Sequence, residues 1–273
     1  MSLKSIARRA LRVAARSPAF AGLMERLPGV DALYREPWER MHPFDRAHGI
    51  DAGGLVTAEH LGFSGDLAQV RSYLGSQPGV IRAALREIPA LEKATFIDMG
   101  CGKGRPLVVA SEFPFRDLVG VEYSAPLVEI ARANARIVAS NHPDRPAIRV
   151  EQGDAGQWDF PEGDFVLFLY NPFGAELMGR VVARIEAALR QSPRAAYIVY
   201  YNPVHGHLFD ECRAFTRRFA GDIAYAAEEL GYGPDTFDPV VIWQGGTAPP
   251  PAQPPQALRI EPEHEYRAHL RTA

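Results

Sequence analysis

The stretch Ala94-Thr-Phe-Ile-Asp-Met-Gly-Cys-Gly-Lys-Gly104, followed by Asp117-Leu-Val-Gly-Val-Glu122, decides the fold of this chain of 273 residues. Its first five residues have the β-branched and aromatic character of a buried parallel strand. The glycines that follow allow a tight turn and a close approach of the backbone to a ligand. Residues 105–112 predict a helix whose N-terminus faces that ligand. Because the second strand ends in the carboxylate of Glu122, the whole segment predicts a nucleoside-binding βαβ unit.

The spacing of the glycines distinguishes between nucleoside cofactors. A dinucleotide-binding turn has the pattern G-x-G-x-x-G and leaves the helix N-terminus open to a pyrophosphate. Here Gly100, Gly102 and Gly104 give G-x-G-x-G, and Arg105 stands where the last glycine of the dinucleotide pattern belongs. Asp98 adds a negative charge beside the turn. The pattern therefore favours a positively charged ligand without phosphate, and it disfavours a nicotinamide dinucleotide.

These motifs resemble the first motif of the class I S-adenosylmethionine-dependent methyltransferases, an acidic residue followed by G-x-G-x-G. The resemblance covers roughly residues 94–244 and implies a methyltransferase with S-adenosylmethionine as its cofactor. In that family an acid after the third strand and its neighbour contact the adenine. The cofactor-binding residues that the resemblance implies are Asp98 for the methionine end, Gly100, Gly102 and Gly104 for the close approach, Glu122 for the ribose, and Asp154 and Ala155 for the adenine.

A fourth predicted strand, Asp164–Tyr170, is followed directly by Asn171-Pro172-Phe173. This segment resembles the Asn/Asp-Pro-Pro-aromatic motif of methyltransferases that act on nitrogen, with one proline fewer, and we expect its three residues to be catalytic. The Asn171 oxygen would accept hydrogen bonds from an amine. Phe173 would offer its π face to the charge on the nitrogen, an interaction worth about 0.5–2 kcal/mol. Because Asn-Pro is also a common turn after a strand, a purely structural role stays open.

The order of the elements indicates an α/β fold with a doubly wound, mostly parallel seven-stranded sheet, as in the family, and an N-terminal helical extension. Residues 222–227 and 237–243 are expected to form an antiparallel pair of late strands. Pro239 places the last strand at an edge or a bulge. The other expected elements are strands over residues 147–154 and 194–201 and helices over residues 125–140, 175–191 and 208–219.

We expect three regions along the chain. Residues 1–90 form the helical extension, with short helices over 66–74 and 78–87, and a lid over the cofactor. Residues 91–246 form the S-adenosylmethionine-binding methyltransferase domain. Residues 247–273 form a proline-rich linker and a flexible charged tail. Further candidate contacts to the acceptor or the lid are Glu59 and His60 in the extension, and Tyr201, Asn202 and His205 at the carboxyl edge of the sheet, where ligands bind in open α/β folds.

Three alternatives to a nitrogen-directed enzyme follow from the same residues. A small-molecule O-methyltransferase would need a general base, for which His205 and His207 are candidates. A cofactor-binding protein without turnover would act on a partner through its termini. A nicotinamide-dependent oxidoreductase is disfavoured by Arg105. The acceptor is expected to be a small molecule, a peptide or a protein.

Composition and charge bear on the substrate class, on metal binding and on the location of the protein. The net charge of −3 and the lack of a basic stretch interleaved with aromatic residues argue against a nucleic acid substrate. Cys101 and Cys212 are too few for a disulfide framework and belong to no metal-binding motif, so we expect a cytoplasmic protein without a metal. Residues 1–20 are basic and contain no acid. Their amphipathic pattern over residues 3–16 predicts a helix that packs on the domain or, alternatively, lies on an anionic membrane.

Overall fold

The computed structural model describes residues 35–63 and 65–272, together with residues 10, 11, 13, 14, 17 and 20. The basic helix predicted over residues 1–20 therefore lies almost entirely outside the described residues. Within the described part, no helix is both long enough and apolar enough to cross a membrane.

A seven-stranded sheet forms the centre of the molecule. Its strands are β3 (Thr95–Met99), β4 (Asp117–Glu122), β5 (Ile148–Gln152), β6 (Phe165–Tyr170), β7 (Ala195–Tyr201), β8 (Phe215–Ala224) and β9 (Phe237–Gly246). They lie in the order β5-β4-β3-β6-β7-β9-β8. All neighbouring strands from β5 to β7 pair in parallel, whereas β9 runs antiparallel to both β7 and β8. The predicted α/β fold with a mostly parallel seven-stranded sheet is confirmed.

Helices cover both faces of this sheet, and side chains that alternate along each strand build the two cores. Phe96 of β3 and Phe168 of β6 belong to one apolar cluster, while Ile97 and Leu167 belong to the other. The helices are α1 (Pro43–His48), α2 (Pro78–Arg86), α3 (Arg105–Ala110), α4 (Ala125–Asn141), α5 (Ala175–Gln191) and α6 (His207–Glu211).

Two predictions about the late elements are wrong. The helix predicted over residues 208–219 ends at Glu211, and Phe215 already begins β8, because the apolar residues there alternate into the sheet. Pro239 does not mark an edge or a bulge: β9 lies between β7 and β8, and the register shift falls on β8 between Arg217 and Phe219. Proline has no N–H to donate to the ladder, but its carbonyl accepts from the backbone N–H of Asn202 at 2.8 Å, so this inner strand stays paired there on its acceptor side.

The predicted flexible tail is also wrong. Residues 258–272 form an antiparallel hairpin of β10 (Leu258–His264) and β11 (Arg267–Thr272), which contacts β8 and β9. Leu258, Ile260 and Leu270 of the hairpin pack against the second apolar cluster. Polar contacts add to this packing, since Arg267 pairs with Asp238 and with Asp235, the latter at 2.9 Å. Residues 247–257, the proline-rich linker, contain neither helix nor strand and connect the hairpin to β9.

The extension before the sheet consists of α1, a two-stranded ribbon of β1 (Leu55–Val56) and β2 (Tyr73–Leu74), and α2. The helix predicted over residues 66–74 is wrong, since only a single 3-10 turn over Leu67–Gln69 forms before β2.

A buried ion pair attaches the extension to the glycine turn that follows β3. Arg105, the first residue of α3, donates from Nε and Nη2 to the two carboxylate oxygens of Asp45 at 2.9 and 2.5 Å. Its Nη1 donates to the Ser76 carbonyl at 2.9 Å. Beside it, the Lys103 ammonium binds Asp51 and the Gly53 carbonyl. Lys103 and Arg105, the two cations at the glycine turn, thus hold the extension against this turn.

We expect the substitution Asp45→Asn to lower the free energy of unfolding by about 3–5 kcal/mol, because it leaves the Arg105 guanidinium buried without a counter-charge. Urea denaturation followed by circular dichroism measures this change. The control is Glu112→Gln, which breaks the more exposed bidentate pair with Arg82 and should cost less than about 1 kcal/mol. Equal losses for both variants would contradict the anchoring role of the buried pair.

Candidate functional site

A cavity of about 190 Å³ lies at the carboxyl edge of the sheet, between the strand ends and the extension. The ends of β3, β4 and β6 and the turn after β5 form its floor, and residues 70–76 form its cover. Asn202 and Tyr266 close the end farthest from β5. The cavity therefore brings together the segments that carry the predicted cofactor and acceptor motifs.

The glycine turn packs tightly against both the cover and the acceptor motif. Gly100 and Gly102 have φ values of +80° and +53°, which side chains rarely adopt. A Cβ on Gly102 would lie 2.2 Å from the ring of Tyr73, and one on Gly100 would lie 2.7 Å from Pro172. These glycines are required by protein contacts as well as by the turn, so Tyr73 and Pro172 lie directly beside the backbone that lines the cavity.

Asp98 lies at the end of β3 with its side chain buried and facing the cavity lining. Its Oδ2 atom has no hydrogen-bond partner among the described residues. Burial, and next the charge of Glu122, raise the pKa of this carboxyl well above its usual value. A buried acceptor without a donor is costly, and a cationic ligand in the cavity would relieve that cost.

Glu122 lies at the end of β4, and the backbone fixes both of its carboxylate oxygens. Oε2 accepts from the Gly102 amide at 2.9 Å, and Oε1 accepts from the Ser124 amide at 2.8 Å. A third backbone amide, that of Tyr123, also donates to this carboxylate. Because an ionised carboxylate has about four lone-pair sites, acceptor capacity remains for a donor in the cavity, as a hydroxyl of a ribose would supply.

The turn after β5 places Asp154 and Ala155 on the cavity wall. Both oxygens of Asp154 accept hydrogen bonds within the turn, from the Gly156 amide at 2.8 Å and from Gln157 at 2.9 Å. Asp154 therefore shapes the turn, and Ala155 is buried beside it. On the opposite side, the rings of Phe63 and Tyr123 meet edge to face at 4.9 Å. This end of the cavity is lined by aromatic and backbone groups.

Asn171 follows β6 with φ +39° and a buried side chain. Its Nδ2 donates to the Glu265 carbonyl of the hairpin turn at 2.9 Å, and its Oδ1 accepts from the Tyr200 hydroxyl at 3.4 Å. Asn202, at the end of β7, repeats the arrangement with φ +53°. Both asparagines therefore use their amides to hold the C-terminal hairpin, a role that neither motif indicated.

The remaining predicted residues lie in different places. Glu59 and His60 are exposed on a 3-10 turn and do not line the cavity. Tyr201 is fully buried, and its hydroxyl donates to Asp238 beneath the floor. His205 is half-buried outside the cavity lining, and burial lowers its pKa to about 4. The structure thus places only Asn202 of these five candidates on the cavity.

Several residues that line the cavity were not predicted, among them Arg71, Tyr73, Tyr170 and Tyr266. Arg71 and Tyr73 fall in a stretch predicted to be helical, and Tyr266 in a stretch predicted to be a flexible tail. Their positions depend on contacts between distant parts of the chain, for which a local pattern carries no signal. The aromatic ending of β6 at Tyr170 was visible, but nothing indicated that its ring faces the cavity.

The residues present fit the predicted cofactor at both of its polar ends. Asp98 supplies an unpaired anion for an ammonium, and Glu122 supplies an oriented carboxylate acceptor for a hydroxyl. Between them, Gly102 brings the backbone to the cavity surface. In the described part of the chain, no three histidine, cysteine, aspartate or glutamate side chains are arranged to hold a metal ion.

A protein-family model matches the central segment of the chain. Residues 96–192 match a family model described as a methyltransferase domain, which spans β3 to the end of α5. A search of curated proteins found no match.

Solved structures with a similar fold include three with low sequence identity. An RNA methyltransferase from Salinibacter ruber in complex with S-adenosylhomocysteine is 21% identical, with 65% of this chain and 97% of that chain covered and a TM-score of 0.44. The [4+2]-cyclase SpnF is 15% identical, with 62% of this chain and 80% of that chain covered and a TM-score of 0.45. Magnesium protoporphyrin IX methyltransferase from Synechocystis PCC 6803 with bound S-adenosylmethionine is 11% identical, with 61% of this chain and 76% of that chain covered and a TM-score of 0.44.

We expect S-adenosylhomocysteine binding to release protons at pH values below the raised pKa of Asp98, because part of this carboxyl is neutral there before the ligand ammonium arrives. Affinity should therefore rise with pH as the free carboxyl ionises, and then level off. Calorimetry in buffers of different ionisation enthalpy counts the protons. In Asp98→Asn the release should disappear and affinity should fall by about 10-fold or more. Binding without proton release by the unsubstituted protein would refute this assignment.

We expect Glu122→Ala to weaken S-adenosylhomocysteine binding by about 10-fold or more, because the charge-assisted hydrogen bonding of this carboxylate to the ribose is lost. Glu129→Ala, on the exposed face of α4, is the matched control and should bind as the unsubstituted protein does. NAD should bind none of these proteins. Equal affinity of the Glu122 variant and the control would show that this carboxylate serves only the turn.

Proposed function

We propose that this S-adenosylmethionine-dependent methyltransferase transfers the methyl group of its cofactor to an amine nitrogen held at Asn171, Pro172 and Phe173. The cofactor supplies a methyl group activated on a sulfonium. Methyl transfer is an in-line displacement with a good leaving group, so catalysis depends mainly on holding the acceptor at near-attack distance. The enzyme's task is therefore to position a neutral amine with its lone pair directed at the methyl.

The observation that carries this proposal is the contact between the acceptor motif and the cofactor turn. Pro172 packs on Gly100, and Asn171, Pro172 and Phe173 all line the cavity that Asp98 and Glu122 also line. An acceptor held by the motif would thus lie next to the cofactor's reactive end. Phe173 is anchored in the second core cluster and by a bridge to Val70 of the cover, which fixes its ring.

The hairpin supports the same chemistry by orienting the Asn171 amide. Because Nδ2 donates to the Glu265 carbonyl, Oδ1 is left as the acceptor end of the amide, with one lone pair free beside the long contact from Tyr200. That oxygen would accept an N–H of the amine and direct its lone pair. The amide orientation follows from this hydrogen-bond network.

In this proposal Asp98 binds the cofactor ammonium, Glu122 the ribose hydroxyls, and Asp154 and Ala155 shape the adenine end. Tyr73 and the rest of residues 70–76 cover the cofactor. The extension thus takes the role of a lid, although Glu59 and His60 contribute nothing to it. The proton that leaves the methylated nitrogen is released to water.

An O-methyltransferase with a histidine base is the second candidate. Such a reaction needs a base within hydrogen-bond reach of the hydroxyl. His205 and His207 both lie outside the cavity lining, and the backbone N–H of His205 donates to the Tyr200 hydroxyl at 3.4 Å. Their position supports the nitrogen-directed reaction.

We expect a labelled methyl donor, incubated with the protein and an extract of small-molecule metabolites and peptides, to yield a product with the methyl group on nitrogen. Tandem mass spectrometry locates the methyl group. His205→Asn and His207→Asn together should leave the rate within about threefold, whereas removing a true general base costs about 10²–10⁴-fold. A methyl ether or ester, lost in the histidine variant, would replace the proposal with the second candidate.

A further inference from the structure

The turn of the C-terminal hairpin is fixed at the acceptor end of the cavity by the two asparagines that follow β6 and β7. Asn202 donates from Nδ2 to the Tyr266 carbonyl at 2.5 Å, and its Oδ1 accepts from the Ala268 amide at 2.8 Å. Asn171 holds the preceding carbonyl. Two buried side-chain amides, both on residues with left-handed backbone, thus fix the position of one exposed turn. These are more polar contacts than the packing of a tail on the surface would require.

Tyr266, at the tip of this turn, lines the cavity while 49% of its surface remains exposed. It faces Arg71 of the cover, whose guanidinium carbon lies 5.9 Å from the centre of the ring. Arg71 also lines the cavity. The hairpin and the cover therefore meet at this pair of side chains, beside Asn171.

The guanidinium of Arg71 is held by the protein through only part of its donors. Nε donates to the Glu265 carbonyl at 3.2 Å, and Nη1 donates to the carbonyls of Ala68 and Val70. Nη2 donates no hydrogen bond within the part of the chain that the structure describes. The Glu265 carboxylate is 3.7 Å from Nη1 and half-exposed, so it screens the charge only partly. The side chain of Arg71 is only 8% exposed and lines the cavity, so its two free N–H groups are available to an oxygen of a ligand there, and its positive charge favours an anionic one.

We propose that the hairpin tip completes the acceptor site and that Arg71 and Tyr266 select a small-molecule amine that carries a carboxylate or phosphate group next to a planar ring. Nη2 of Arg71 binds the anionic oxygen, and the Tyr266 ring packs on the planar part. This inference rests on the proposed function and adds the class of acceptor to it.

The arrangement favours a small molecule over a polymer. The acceptor end lies between residues 70–76 on one side and the hairpin tip on the other. Both sides are fixed by buried contacts, the cover through Arg105 and the hairpin through Asn202. A compact acceptor can fit between them without displacing either, whereas an extended chain would have to separate them.

The test uses benzoate and its neutral isostere benzamide, which differ only in the charge of the group attached to the ring. Saturation-transfer NMR on the protein loaded with S-adenosylhomocysteine measures their binding. Benzoate should bind and benzamide should bind at least 10-fold more weakly. Arg71→Met should abolish this preference, Tyr266→Leu should weaken benzoate several-fold, and the control Arg149→Met, on the exposed side of β5, should change nothing.

Because Arg71→Met also removes a contact to the hairpin, a second variant tests the site in the opposite direction. Glu265→Gln removes the carboxylate that competes for Arg71 but keeps the backbone carbonyls that hold the turn. Benzoate affinity should then increase roughly two- to fivefold. Equal binding of benzoate and benzamide, or no gain in Glu265→Gln, would overturn the inference.

The same variants separate this inference from the proposed function. Labelled methyl transfer should enter amines that an anion-exchange resin retains, and Arg71→Met should lower that incorporation at least 10-fold. Transfer only to neutral amines or to macromolecules would overturn the acceptor class and leave the nitrogen-directed reaction standing. Charge-selective benzoate binding without any methyl transfer would support the anion site and refute the proposed function.

Discussion

The buried pair between Arg105 and Asp45 is the constraint on which the site depends. Arg105 begins α3 directly after the glycine turn, so the residue that closes the turn also holds the cover over it. A bidentate ion pair removed from water is stable only when both partners are present and the remaining N–H donors are satisfied. Here the Ser76 carbonyl accepts from the remaining nitrogen of Arg105. In the sequence, Arg105 argues against a dinucleotide cofactor. In the structure, the same residue is the attachment point of the extension.

The two ends of the cavity are built in different ways. The cofactor end comes from one run of chain, β3 through the turn after β5, in which each strand delivers one group to the same edge. The acceptor end combines the cover, the loops after β6 and β7, and the tip of the hairpin. Polar contacts hold these parts together, with the amides of Asn171 and Asn202 at the centre. The same two loops therefore line the cavity and fix the hairpin.

This difference explains how much could be predicted from the sequence. The βαβ unit, the sheet and the positions of Asp98, Glu122 and Asn171 follow from local patterns, because hydrophobic runs and strand ends are encoded within a few residues. The hairpin was mistaken for a flexible tail because its strands are short, follow a proline-rich stretch and carry many charges, although Leu258 and Ile260 alternate with polar residues as in a strand. Likewise, β2 and the position of Tyr73 depend on Ala52 and Gly102, far away in the chain, and no local pattern records such contacts.

The proline-rich linker of residues 247–257 acts as a short tether. A segment tethered at this distance from its binding surface is present at an effective concentration in the millimolar range, so re-docking is an intramolecular event. Proline also limits the conformations that the free linker can explore, which lowers the entropy lost when the hairpin docks. The contacts of Asn171 and Asn202 can therefore be individually weak and still keep the turn in place.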